Sequence, residues 1–296
     1  MPTTSLGSVT YFSAMPFLKP IPSFLGLLLL LYGVACAWLF LGQRRLIFLP
    51  DRTLNTTPIE AGVAYEEVWI PVGRGQIHGW WLPHEGTLDL TFLYLHGNAA
   101  NISQNLVWAL ALRDIGASVL MIDYRGYGLS SGPFPSEAQL YEDALAAWNY
   151  LLQEKGIPAE EVVIYGHSIG GAVGVALASQ VRQGGGLIVE SSFTSMTDMA
   201  KRSGYATLFP VEQLLTQRFD SLAKLPTVDM PVLYIHGQED TSVPAAMSQQ
   251  LYAATQAPKE IWLVPNANHN NVVEQAGGEF QQQILQFLHR HVLIQR

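Results

Sequence analysis

Two kinds of hydrophobic pattern divide the chain. From Phe24 to Gly42 (FLGLLLLLYGVACAWLFLG) 19 consecutive positions carry no charge, whereas from Tyr65 onward short apolar runs alternate with longer amphipathic stretches. At about 1.5 Å per residue the first run makes a helix of roughly 28 Å, close to the hydrocarbon thickness of a bilayer. Pro16, Pro20 and Pro22 precede it and Gln43-Arg44-Arg45 follow, giving the helix a start and a charged stop. Residues 24–42 are therefore read as a single-pass transmembrane anchor behind an N-terminal segment, 1–23, and residues 43–62, broken by Pro50 and Pro58, as a linker. One lysine, Lys19, precedes the run and Arg44, Arg45 and Arg52 follow, so the positive-inside bias places the rest of the chain on the cytoplasmic side. A cleavable leader is the rival reading, with Ala35-Cys36-Ala37 as its cleavage site, but the uncharged run continues through Trp38 to Gly42. Lipidation of Cys36 lacks a strong preceding lipobox, and a buried core helix would carry more polar breaks.

In the remainder, Tyr65–Val72 and Gln76–Leu82 flank Gly73-Arg74-Gly75 and predict a β-hairpin. Strands are then expected at 91–95, 118–124, 162–165, 187–190, 232–235 and 260–264. Helices are expected at 104–115, 136–152, 169–181, 245–255 and 272–292. This alternation predicts a mostly parallel sheet of eight strands, counting the hairpin, covered by helices on both faces. The interval from 193 to 230 breaks the rhythm. A structureless loop of that length is unusual in a compact domain, so a small helical lid is expected there, inserted into a domain of residues 63–296.

Composition narrows the function classes. The 296 residues are 49% hydrophobic and 14% charged, far from the make-up of disordered chains. The formal charge of −8, without a basic stripe, argues against nucleic acid as a partner. A single cysteine, Cys36, can form neither an internal disulfide nor a multi-thiolate metal site.

The strongest chemical signal is Gly166-His167-Ser168-Ile169-Gly170-Gly171, placed after one strand and before one helix. A serine on a sharp strand-to-helix turn crowds the neighbouring backbone, and glycines on both sides remove the clash. Ser168 is thus the candidate nucleophile. It needs a base, and the base needs an orienting carboxylate. Asp240 follows the strand 232–235 and His269 follows the strand 260–264, where ligands bind in open α/β sheets. Glu239 is the direct rival of Asp240; His78, His84, His289 and His291 are weaker rivals of His269, and His167 is expected to pack beneath the nucleophile. Backbone N–H groups of Asn98, in His96-Gly97-Asn98, and of Ile169 are the candidate oxyanion donors. Glycosylation at Asn101-Ile102-Ser103 would crowd this mouth, a small argument for a cytoplasmic face; the sequon Asn55-Thr56-Thr57 carries little information. Tyr124 and Tyr127 are candidate substrate-binding residues, although a turn held by Asp123 and glycines is the stronger reading of Asp123–Gly128. Phe193 and Met196 of the insertion are candidate acyl-chain contacts and equally well packing residues of a lid.

Over roughly 63–292 the chain resembles the α/β-hydrolase fold serine hydrolases. It is most similar to the membrane-anchored α/β-hydrolase domain-containing proteins, through the apolar anchor, His96-Gly97-Asn98, Asp123–Gly128, Gly166–Gly171 and His269-Asn270. Some members of that branch are thioesterases that remove palmitoyl groups from proteins; others are described as esterases or peptidase-like hydrolases. The resemblance implies acyl transfer to water with Ser168, Asp240 and His269 in the matching positions, on an acylated small molecule, lipid or protein, with no metal and no organic cofactor. It departs at Asn268, where such proteins often have glycine, and at Asn271, where an acidic residue is common. A peptidase of the prolyl-oligopeptidase-related type and a non-catalytic lipid- or protein-binding scaffold are the alternatives.

Overall fold

The computed structural model describes residues 20–86 and 88–293; Pro16 and Lys19, used above to read the flank of the anchor, lie outside them. Helix α1 (Pro20–Ile47) opens the chain. Proline is tolerated in its first turn, where a backbone N–H donor would have no intrahelical partner, and Arg44 and Arg45 complement the negative end of its dipole. From Phe24 to Ile47 it is long and apolar enough to cross a membrane. Eight strands form one sheet: β1 (Glu66–Val72), β2 (Gly75–Leu82), β3 (Thr91–Leu95), β4 (Ser118–Ile122), β5 (Val162–His167), β6 (Gly186–Glu190), β7 (Val232–Gly237) and β8 (Lys259–Val264). Their order is β8-β7-β6-β5-β3-β4-β2-β1, and β2 alone runs opposite to the other seven.

Side chains alternate across this sheet with the period of two that a strand imposes. Leu93, Leu95, Leu120, Ile122 and Ile164 face one core, with α3 (Glu137–Gln153), α4 (Ile169–Val181) and α9 (Ala245–Ala254) packed on it. Phe92, Tyr94, Val119, Met121 and Val163 face the other, under α2 (Leu106–Arg113), α10 (Val272–Ala276) and α11 (Gly278–Leu288). The insertion holds four short α-helices, α5 (Met196–Arg202), α6 (Tyr205–Leu208), α7 (Val211–Leu214) and α8 (Ser221–Lys224), and a 3-10 turn at Leu225–Thr227.

Several elements differ from the sequence reading. The last helix is broken at Gly277, whose φ of 53° and glycine successor end α10 and start α11. The strand read over 118–124 stops at Ile122, because Asp123–Gly128 turns, with Gly126 at φ 92°. The stretch read as a linker is packed: Phe48 is buried edge-on to Phe219, Leu49–Pro50 pairs with Ala99–Ala100, and Asn101 holds the carbonyls of Asp51 and Thr53. Those bonds, and a further one to the amide of Ser103, bury the Asn101 side chain, so this sequon is closed in the folded protein and its bearing on sidedness falls away.

Candidate active site

The ends of β3, β5, β6, β7 and β8 converge on one point. After β5 the chain reverses so sharply that Ser168 sits at φ 56°, ψ −118°, a strained conformation for a side-chain-bearing residue. The flanking glycines are required by contact: a Cβ on Gly166 would stand 2.2 Å from the carbonyl oxygen of Gly170, and one on Gly170 2.0 Å from that of Leu95. The turn is clamped by Ser168 N donating to Glu190 O (2.8 Å) and Ser192 Oγ donating to Ser168 O (2.7 Å).

Residues 101 positions apart then meet. His269 Nε2 lies 3.0 Å from Ser168 Oγ, and His269 Nδ1 lies 2.7 Å from Asp240 Oδ2. Asp240 Oδ1 accepts the amides of Ser242 and Val243, each at 2.8 Å. Burial alone would raise the Asp240 carboxyl, but the hydrogen bonds of His236 and His269, reinforced by the Val243 amide, hold it well below the usual carboxylate range. Glu239, the rival carboxylate, is exposed. The loop before His269 is tied by side chains: Asn271 Oδ1 accepts Asn268 N (2.7 Å) and Asn268 Oδ1 accepts Asn270 N (2.9 Å). The two departures from the family pattern thus form the turn that presents the imidazole.

Three supporting residues were not foreseen in these roles. His236, at the end of β7, has Nε2 2.8 Å from the Val243 carbonyl and 3.2 Å from Asp240 Oδ2, with Nδ1 2.7 Å from Ser248 Oγ. A carbonyl can only accept, so Nε2 carries a proton and shares it with Asp240. His167 Nε2 likewise donates to the His269 carbonyl (3.0 Å). Burial, with His269 alongside, lowers His167 to about 3 and keeps it neutral. Glu190, wholly buried at the end of β6, accepts from the Tyr165 hydroxyl and from Trp108 Nε1 (3.0 Å); burial raises it to about 7 against those two donors. The available signal for each was a polar residue at the apolar end of a strand.

Asn98 and Ile169 border the cleft with Ser168, His269, Phe193 and Met196. Asn98 is held in place by two of its other groups: its carbonyl accepts from Leu49 N (2.9 Å) and Tyr127 Oη (2.7 Å), and its Nδ2 donates to the Ile47 carbonyl at the end of α1 (3.0 Å). Tyr124 and Tyr127 do not border the cleft. Both are fully buried below the loop, where Tyr124 Oη donates to the His96 carbonyl (3.3 Å). The turn at Asp123–Gly128 directs them inward, so they support the loop rather than face a ligand. His78 is buried, and His291 pairs with Glu260 2.7 Å away. Among the described residues no cluster of three or more His, Cys, Asp or Glu is arranged to hold a metal.

Comparison with known proteins agrees with this architecture. Residues 103–294 match the model of the prolyl oligopeptidase family. An uncharacterized protein of Mycobacterium tuberculosis, Rv2307c, is 35% identical over 231 residues, covering 77% of this chain and 81% of that one. The α/β-hydrolase domain-containing protein 17B of Homo sapiens is 33% identical over 206 residues, covering 69% of this chain and 67% of that one. Among solved structures, the Pyrococcus furiosus esterase Pf2001 superposes with a TM-score of 0.69 at 21% identity, over 83% of this chain and 98% of the esterase.

Proposed function

The chain belongs to the prolyl oligopeptidase family within the α/β-hydrolases, and on that footing we propose that it is a membrane-anchored serine hydrolase cleaving carboxylic esters or acyl thioesters. The observation that carries this reading is the relay of 3.0 and 2.7 Å from Ser168 through His269 to Asp240 at one end of the sheet. His269 Nε2 takes the Ser168 proton as Oγ bonds to the substrate carbonyl carbon. The oxyanion is met by the backbone N–H groups of Asn98 and Ile169. The C–O or C–S bond then breaks, and the alcohol or thiol leaves with the proton returned by His269. Water, deprotonated by the same imidazole, releases the acid and restores Ser168. No metal or organic cofactor enters this sequence. Asp240 fixes the imidazole tautomer, and His236 with two backbone amides fixes Asp240. Helix α1 is the anchor, and Arg44, Arg45 and Arg52 after its apolar run favour a cytoplasmic catalytic domain.

The experiment is labelling by a fluorophosphonate together with hydrolysis of p-nitrophenyl acetate. Both should be present in the wild type, and Ser168→Ala should lose labelling and at least a thousandfold in kcat, on the order of other serine-nucleophile removals. Turnover that survives this substitution would refute the serine mechanism. The name of the matched family favours a second reading, amide hydrolysis. Matched ester and anilide substrates separate the two, because an amine leaving group demands protonation that an alcohol or thiol needs less.

A further inference from the structure

Two cavities meet at the C-terminal end of α1. The cleft of about 360 Å³ has Ser168 and His269 on one side and Leu46, Ile47, Met196 and Met199 on the other. Those last four residues also line a second cavity of about 390 Å³, which continues between α1 and the lid past Leu39, Ala200, Tyr205, Phe209 and Leu215. Both volumes are in the range of small-molecule sites. The lining of the second is mostly aliphatic and aromatic with two methionines; of its two polar residues, Gln43 ties the two walls together through its amide and Ser203 donates its hydroxyl to the Ala200 carbonyl (2.9 Å). Leu39 lies two helical turns before Leu46, so the cavity runs about 10 Å along α1 toward its membrane-crossing part.

The surface of α1 divides accordingly. Cys36, Leu39, Gln43 and Ile47 recur at helical spacing and are buried or half-buried, while Leu29, Leu30, Trp38 and Leu41 are each more than 60% exposed. Higher up, the rings of Tyr32 and Phe209 stack at 5.8 Å. Beside this wall the lid exposes Leu208 by 69% and Tyr205 by 49%, apolar surface suited to lipid rather than water.

We propose that the cavity between α1 and the lid is the acyl-chain site, and that the substrate is a long-chain acyl ester or thioester drawn from the membrane in which α1 sits. This rests on the reading of Ser168 as the nucleophile. The anchor is then half of the specificity pocket as well as a tether: the carbonyl reaches Ser168 while the chain stays among apolar groups all the way from the bilayer.

The test uses the full chain in phosphatidylcholine vesicles with p-nitrophenyl acetate, octanoate and palmitate. Ala200→Trp blocks the cavity from the lid side and Leu39→Trp from the α1 side, so that misfolding of one leaves the other as the test. Each should lower the palmitate-to-acetate ratio of kcat/KM by about tenfold or more, the size of effect a few displaced methylenes produce. Vesicles carrying monopalmitoyl glycerol or an S-palmitoyl peptide distinguish a lipid from a lipidated-protein source; a drop on either supports the proposal. A ratio that stays at the wild-type value in folded Trp variants, with Ser168 still labelled and acetate still cleaved, overturns the acyl-chain site and leaves the hydrolase reading intact. Absence of labelling and of all ester turnover in the wild type overturns both.

Discussion

The end of the sheet around Ser168 and the cavity between α1 and the lid share a wall, yet different forces hold them. At the sheet end, each of the three residues is fixed by directional bonds: Asp240 by two amides and His236, His269 by Asp240 and the carbonyl contact of His167, Ser168 by Glu190 and Ser192. Around the cavity the walls are Met, Leu and aromatic side chains held by dispersion, with the Gln43 amide as a polar tie. Directional bonds set positions to fractions of an ångström, as proton transfer requires. Apolar packing sets a volume and tolerates rearrangement, which suits a flexible chain. On the proposed reading, chemistry and chain selection are thus separable by substitution.

Asp240→Asn gives the largest expected effect. The substituted carboxamide turns an NH₂ toward His269 Nδ1 and selects the tautomer with its proton on Nε2, where the base is needed. We expect kcat for p-nitrophenyl acetate to fall on the order of 10³–10⁴-fold with the fold intact. A loss below tenfold would mean that Asp240 does not orient the base, and the directional account of the sheet end would fail.

What could be seen in the sequence follows the same division. Ser168 was legible because close backbone approach at Gly166 and Gly170 leaves a local signature, and Asp240 and His269 because strand-end loops are countable along the chain. Their roles are what the serine and aspartate substitutions decide. His236 and Glu190 were passed over because each sits at the end of an apolar run and shows its purpose only once β6, β7 and β8 lie side by side. The inward turn of Tyr124 and Tyr127 depends on the loop they support, which no spacing rule specifies. Least legible was the cavity, since its walls, Leu39 and Ala200, lie far apart in the chain, and the bond from Gln43 that ties α1 to the insertion goes to a backbone carbonyl, that of Leu214.

Beneath Ser168, Glu190 offers a measurement of intermediate size. Burial lifts its carboxyl from 4.5 to about 7, so the folded chain holds this proton more tightly than the unfolded chain. Its ionised form therefore costs stability: the penalty is absent below about pH 4.5, grows as pH rises through the interval, and is complete above 7. Glu190→Gln keeps an acceptor for Tyr165 and Trp108 and removes the titration. The variant's stability relative to the wild type should rise between pH 5 and pH 8, by at most about 3 kcal/mol. Unfolding midpoints at the two pH values check this, and a difference independent of pH would show that Glu190 does not titrate in this range.

Gln43→Ala probes the apolar region at its polar tie and should have the smallest effect. Gln43 Oε1 accepts Thr216 N (2.7 Å) and Gln217 N (3.3 Å), while Nε2 donates to Leu214 O (3.1 Å). Alanine leaves those lid amides without their acceptor, a loss of about 1 kcal/mol at a partly buried site. Hydrogen exchange at Thr216 and Gln217 should quicken roughly fivefold, since 1.4 kcal/mol corresponds to a factor of ten. The amides of Ser242 and Val243, held by Asp240 rather than by Gln43, serve as the internal reference and should keep their rates. Acceleration confined to the lid means that it loosens independently of the Ser168 end of the sheet, the condition under which, on the proposed reading, a chain can enter without disturbing the relay. Equal acceleration at both pairs would show that α1, the lid and the ends of β7 and β8 open as one cooperative unit, and separating chemistry from chain selection by mutation would then be impossible.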